Sequence, residues 1–449
     1  MNSESPDRRV APEIKELTGR PLPKAARRRL PNGVELVVLN HGEQPVNRMS
    51  VVWNAGDADV EQPEALALLC QTITEGTANR TGAEITELLE YNGAWMRMDS
   101  SAHATTLTLH SLNHTAEDVI PMAGEMISEA VHPESELVRM RARLAARLET
   151  DMRKVVTKAT VMGKKMLYGD GNPMSRSLSA GRMAEVSRED VTSLHRRLLK
   201  GNVPMVYLAG KITPELESVV ERVFGSLVFG TESDAIVKSV VKCPDHLASL
   251  MCMEEDETSM QTAVNVIIPA IDRKDPDYEQ LRFTVFALGG YFGSRLMSNI
   301  REDKGYTYGI TASLGAAPEG GSIKIACQTD NRHTGNVLAE IENEIGRLAN
   351  EPMDGEELAV VRHTIMSGLT SLLDSPFTIM DYHRQIDAMN LGEDYYSHQL
   401  DELSRFDAQS AMDMARKYLL DAPRLTALAG RDVSVDQNVA EKLMPKADE

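Results

Sequence analysis

In "REDKGYTY" an arginine, Arg301, precedes a tyrosine, Tyr308, by seven residues. Both side chains carry hydrogen-bond donors. Taken alone, the pair is more simply a helix-end cation followed by a strand aromatic. In "HSLNH", His110 and His114 stand four apart. That spacing binds metal from one face of a helix, but this segment alternates like a strand and then turns, so it reads as a sheet-edge pair. "CPDH" offers Cys243 and His246 with no second pair to complete a metal set. Cys70 has no predictable partner and reads as a small buried hydrophobe on the core side of a helix. "GGYFG" supplies Gly289, Gly290 and Gly293; no G-K-[ST] follows, so a phosphate-cradling loop is not supported.

These residues sit in an acidic chain of 449 residues, with 48 basic against 67 acidic side chains and a net charge of −19. That balance argues against a general nucleic-acid or anionic-membrane binder. It suits solubility first, and the reception of basic peptides second. Apolar residues make up 42% and aromatics only 4%, so aliphatic side chains and the 24 methionines must fill the core. No run of about 18 apolar residues occurs, so no membrane-spanning helix is expected. "MNSESPDRRVAPEIKEL" has no apolar signal core, and the four cysteines lack C-x-x-C spacing. A cytoplasmic protein with free thiols is the expectation.

The elements that must position these residues come in two similar sets. "GVELVVLN" and "RMSVVWNAG" read as paired strands, followed by helices at 64–74 and 81–91. From Ala104 to Leu112 the chain alternates, with Leu107 and Leu109 on one face and Thr106 and Thr108 on the other. Helices follow near 115–130, 134–155 and 157–168. "SREDVTSLHRRLLK" opens with a cap signal and leads to the strand "VPMVYLAG" and a helix from "TPELESVVERVF". The second half repeats the order: strand "QTAVNVIIPA", helices in "DPDYEQLRFTVFALGG" and "SRLMSNIRED", and paired strands "YTYGITASLG" and "GSIKIACQTD". Helices at 332–349, 354–373 and 375–390 follow. "DAQSAMDMARKYLL" then matches "REDVTSLHRRLLK", and "RLTALAG" matches "PMVYLAG". A period of about 220 residues means a duplicated domain. The fold class is α+β, each half a largely antiparallel sheet covered by helices. The expected domains are 1–233 and 234–449, with the linker in 226–258.

This layout resembles the insulinase/pitrilysin superfamily of zinc peptidases, especially bacterial processing-peptidase-like chains. The resemblance covers nearly the whole chain and rests on "LPNGVELVVLN", "EGTANRTGAEITELLEYNGA", "LYGDGNPMSRSLSAG", "VSREDVTSLHRRLL" and "LGGYFGSRLMSNIREDKGYTYG". It implies two homologous domains of the LuxS/MPP-like metallohydrolase type forming a clamshell. Active relatives carry an inverted zinc motif, H-x-x-E-H, with two histidine ligands, a glutamate base between them and a further glutamate ligand downstream. Counting back from Gly76-Thr77 puts those positions at Ala67, Cys70 and Gln71, with Glu149 near the third-ligand position. The zinc motif is thus degenerate, and no metal is expected in this chain.

In the same family an arginine and a tyrosine of the second half reach the zinc site. The tyrosine binds the scissile carbonyl or its oxyanion, and the arginine fixes the tyrosine and the substrate backbone. The resemblance assigns those catalytic roles to Arg301 and Tyr308. It also makes Gly289, Gly290 and Gly293 a substrate-binding loop. Some relatives divide these jobs between chains, which implies a zinc-less, substrate-positioning subunit acting on a peptide substrate with a zinc-bearing partner of the same family. The alternative is a non-catalytic scaffold or peptide-binding pseudopeptidase, a homodimer when isolated. An autonomous peptidase with another metal set is the remaining reading.

Overall fold

In the computed structural model, residues 19–230, 235–239, 241, 244, 247–318 and 320–431 are described. Cys243, His246 and the expected boundary at 233/234 lie outside those residues.

The first domain runs β1 (Ala26–Arg29), β2 (Glu35–Asn40), β3 (Val46–Trp53), α1 (Pro63–Thr72), α2 (Gly82–Tyr91), β4 (Trp95–Ser100), β5 (Thr105–Leu112), α3 (Ala116–Glu129), α4 (Glu134–Met152), α5 (Val155–Tyr168), α6 (Ala180–Glu185), α7 (Arg188–His195), β6 (Met205–Gly210) and α8 (Pro214–Ser226). The second runs β7 (Leu250–Glu255), β8 (Gln261–Ala270), α9 (Tyr278–Gly289), β9 (Thr307–Ala317), β10 (Gly320–Asp330), α10 (Thr334–Asn350), α11 (Gly355–Ser371), α12 (Pro376–Met389), α13 (Tyr395–Arg405), α14 (Ala408–Ala415) and β11 (Leu425–Gly430).

The sheet orders are β1-β2-β6-β3-β5-β4 and β7-β11-β8-β10-β9. With β1 set aside they match strand for strand. In each sheet one pair is parallel, β2 with β6 and β7 with β11, and the other pairs are antiparallel. Even the entry to the last strand is duplicated, since α7 and α14 both run into a π-helical turn, Arg196–Lys200 and Arg416–Leu420.

Period-two patterning explains how each sheet is covered on two faces. β5 buries every second residue, with Leu107 opposite Val51 and Leu109 opposite Met49. These side chains join the core under α1, α3, α7 and α8. The other face, Val37, Leu39, Val52 and Tyr207, packs on Ile379 and Met380 of α12 from the second domain. The exchange is mutual. Val155, Ala159 and Leu167 of α5 pack on Ala263, Ile267, Leu425 and Ala429 of the second sheet. Each domain therefore lends one helix to the other's sheet.

The expected linker needs correction at one point, because it contains β7. That strand is held by parallel pairing with β11 across Leu250–Glu255 rather than by its own patterning. The helix expected in "SRLMSNIRED" is largely a wider π-helical turn, Met297–Asp303.

Candidate functional site

In the first domain, α1 opens on Pro63, whose fixed φ suits the first helical turn. Leu66, Leu68 and Leu69 are fully buried, and the helix is enclosed by α4, α6, α7 and β4. Ala67, which offers no donor atom, packs against that core. Cys70 is buried, and desolvation, helped by Asp57 and Asp99, pushes its thiol well above the usual range. It therefore stays protonated, whereas a metal ligand must be a thiolate. Gln71 and Glu149 are exposed. Zinc needs three protein ligands at a catalytic site. This donor set holds one exposed carboxylate and one amide, so it does not fit zinc. Among the described residues no other group of three His, Cys, Asp or Glu could hold a metal ion. His110 is stacked on Trp95 with centroids 4.2 Å apart, and His114 lies in the following 3₁₀ turn.

Below the end of α1 runs a buried polar chain. Thr72 Oγ1 meets His132 Nδ1 at 2.9 Å, His132 Nε2 meets His195 Nδ1 at 2.9 Å, and His195 Nε2 meets the Ile127 carbonyl at 2.8 Å. With both rings neutral, His195 Nε2 donates to the carbonyl and His132 Nε2 donates to His195 Nδ1; His132 Nδ1 and the Leu68 carbonyl, 2.9 Å from the same Thr72 oxygen, then compete for its one hydroxyl proton. Burial lowers His132 to about 3 and His195 to about 4.

In the second domain, α9 occupies the slot that α1 occupies in the first. Its end lies so close to β9 that a Cβ on Gly289 would stand 2.6 Å from Ala312 N, and one on Gly290 would stand 2.7 Å from Phe286 Cα of α9 itself. Close packing alone accounts for these two glycines. The loop then presents Phe292, and the π-helical turn brings the Arg301 guanidinium carbon 4.5 Å from the Phe292 ring centroid. Among the described residues Arg301 has no carboxylate partner. Tyr308 stands on β9, the edge strand, and is 91% exposed.

The structure does not bring the two sets of predicted residues together. α1 lies on the face of its sheet opposite α12, and α9 on the face of its sheet opposite α5. The cleft of about 630 Å³ beside Glu149 is lined by first-domain residues alone. The cleft that reaches Gly293 is lined by second-domain residues alone.

Residues 185–365 match the family described as Peptidase M16 inactive domain. A Helicobacter pylori protein named non-peptidase homolog YmxG is 22% identical over 273 residues, 59% of this chain and 61% of its own length. The chain thus spans about three fifths of that relative. A Mycobacterium leprae protein named uncharacterized zinc protease ML0855 is 22% identical over 352 residues, 76% of this chain and 77% of its own. A solved structure, the peptidase M16 inactive domain from Pseudomonas fluorescens, superposes with a TM-score of 0.82 at 20% identity, over 91% of this chain and 98% of that one. The chain is thus similar to the peptidase M16 family over residues 185–365 and shares the fold of its inactive domain.

The matched family is described as an inactive domain, and α1 here carries Ala67, Cys70 and Gln71. Sequence reasoning missed two features of the chain. Phe292 was legible as part of "GGYFG", but its stacking under Arg301 depends on the shape of the loop. His132 was hidden because its partners lie 60 and 63 residues away and its φ of +45° breaks no sequence rule. No helix among the described residues is long and apolar enough to cross a membrane.

Proposed function

We propose that this chain is the zinc-less, substrate-positioning subunit of a two-chain peptidase. The observation that carries the reading is an asymmetry: Tyr308 is exposed on the edge strand and Arg301, in the turn before it, has no carboxylate partner among the described residues, while Ala67, Cys70 and Gln71 supply no zinc ligands. The Tyr308 hydroxyl donates to the scissile carbonyl oxygen as charge develops there, and the Arg301 cation fixes the nearby backbone. Zinc and the general base belong to the partner chain. Peptide is held between the two chains, the second domain beginning near residue 234 supplies the donors, and Gly289, Gly290 and Gly293 border the substrate. The complex works in the cytoplasm.

Affinity purification of the tagged native chain, with zinc measured on the same sample, tests this. A co-purifying M16 chain bearing H-x-x-E-H, with one zinc per pair, is the expected result. A metal-free homo-oligomer with no such partner would overturn it and leave a peptide-binding scaffold, the reading that the non-peptidase relative favours.

A further inference from the structure

Between the domains, where α12 lies on the first sheet, is a cleft of about 490 Å³. That is within the range of small-molecule sites, about 300–1,000 Å³. Asp381, Arg384, Gln385 and Ala388, spaced along one face of α12, form one wall. Met205 and Tyr207 of β6 contribute to the other.

The charges on this wall are unevenly matched. Asp381 accepts both Nη groups of Arg48, at 2.6 and 3.0 Å. Asp387 accepts the Tyr207 hydroxyl at 2.8 Å and Arg27 Nη2 at 2.7 Å. Both carboxylates are thus neutralised by cations other than Arg384. Arg384 donates Nη2 to the uncharged Thr106 hydroxyl at 3.0 Å. Its Nη1 stands 3.5 Å from the already occupied Asp381, and its Nε–H has no hydrogen-bond partner. A guanidinium in a partly dry site with so little compensation favours a bound anion. Burial lowers its pKa, with Asp381 opposing that shift and Arg48 adding to it. Arg384, with Lys238 also lining the cleft, suits an anion, and the thioethers of Met174, Met205 and Met389 suit an aliphatic body.

We infer that this cleft binds a small carboxylate with an aliphatic body, anchored on Arg384. The inference does not rest on the two-chain reading, and Arg301 and Tyr308 take no part in it. The source is either a free acid or the C-terminus of a peptide.

Isothermal titration of the full chain tests it with N-acetyl-leucine, its neutral amide N-acetyl-leucinamide, and a leucine-ended pentapeptide as free acid and as amide. The expected result is binding of at least one acid, with its amide weaker by about tenfold or more, as for loss of a charge-assisted bond. Preference for the pentapeptide acid identifies a chain terminus, and preference for N-acetyl-leucine a free metabolite. Arg384→Gln should weaken the acid by about tenfold. Ala388→Trp, at an exposed position of the cleft wall, should block binding by filling the cleft while circular dichroism stays native; it decides the matter if Arg384→Gln fails to fold. Equal binding of acid and amide, undiminished binding in a folded variant, or no binding of either acid at about 10 mM would overturn the inference.

Discussion

The region from α1 to β4 and the region from α9 to β9 occupy the same topological slot. Each follows a strand next to the middle of its sheet and leads to an edge strand. Each region sets an arginine over an aromatic ring, Arg97 over Trp95 within β4 at 5.8 Å and Arg301 over Phe292 in the segment before β9 at 4.5 Å. The difference is the counter-ion. Arg97 is tied to Asp99 at 2.8 Å, whereas Arg301 has no carboxylate among the described residues. A paired surface arginine offers little to a ligand, while a stacked, uncompensated one keeps its donors and its charge. The two regions thus carry arginine–ring contacts at different positions, one closed by a carboxylate and the other without one among the described residues.

The largest expected effect tests that asymmetry directly. In the proposed two-chain enzyme, Tyr308→Phe should lower kcat/KM by about 10²–10³-fold, the cost of one oxyanion donor. Arg97→Ala should leave it within about twofold, since its ion pair is an exposed one. Thermal melting should be unchanged by either, because both side chains are largely exposed. If Arg97→Ala costs as much as Tyr308→Phe, the two edges are not functionally distinct.

The second test concerns the two helices. Each carries a buried glutamate at its second position, Glu64 and Glu279. Glu279 Oε1 accepts the Tyr395 hydroxyl and Gln399 Nε2, and Oε2 accepts Arg282. Glu64 Oε1 accepts the Ser179 amide and Arg182, but Oε2 has no partner. Glu279→Ala should therefore cost about 3–5 kcal/mol, as for a broken buried pair, and Glu64→Ala less. Urea midpoints would show the order, and equal costs would mean that the orphaned oxygen of Glu64 is satisfied in solution.

The duplicated α+β plan was legible because its strongest signals are local. Alternation at Leu107 and Leu109 and the capping box at Ser187 needed no tertiary information. β1 and β7 were not legible. β1 reads "ARRR" and lies at the surface, as suits an edge strand whose charge discourages further pairing. β7 exists through its partner β11. Of the site, Arg301 and Tyr308 stood out by spacing and surrounding string, but their exposure could not be read from either. The His132–His195 pair and the Arg384 cleft join residues far apart in sequence, so no window contained them.

The buried histidines give the third test. Both rings have folded-state values, about 3 and about 4, below the ordinary 6.5. As pH falls the unfolded chain therefore binds protons first, so stability is full above pH 6.5 and declines through that value toward 4 and 3. Between pH 7 and 5 the loss is roughly 2 kcal/mol per ring. Hydrogen exchange at pH 5 should show α1 and α3 opening before α9, whose slot contains no such pair. Simultaneous opening would mean that acid sensitivity is shared by the whole molecule.

The smallest effect is the sharpest probe of the comparison. An exposed cation–π contact is worth about 0.5–1 kcal/mol. Phe292→Ala should therefore lower kcat/KM of the two-chain enzyme by only about three- to fivefold. Its action should be through Arg301, because the ring has no polar atom with which to bind a carbonyl. That predicts non-additivity. Once Arg301 is alanine, Phe292→Ala should cost nothing further, and Phe292→Trp in the native background should retain activity by restoring a ring face. Equal costs of Phe292→Ala with and without Arg301 would mean that the ring contacts substrate itself. Stacking at this edge would then orient peptide and not the guanidinium, and the likeness to Trp95 and Arg97 would be one of packing alone.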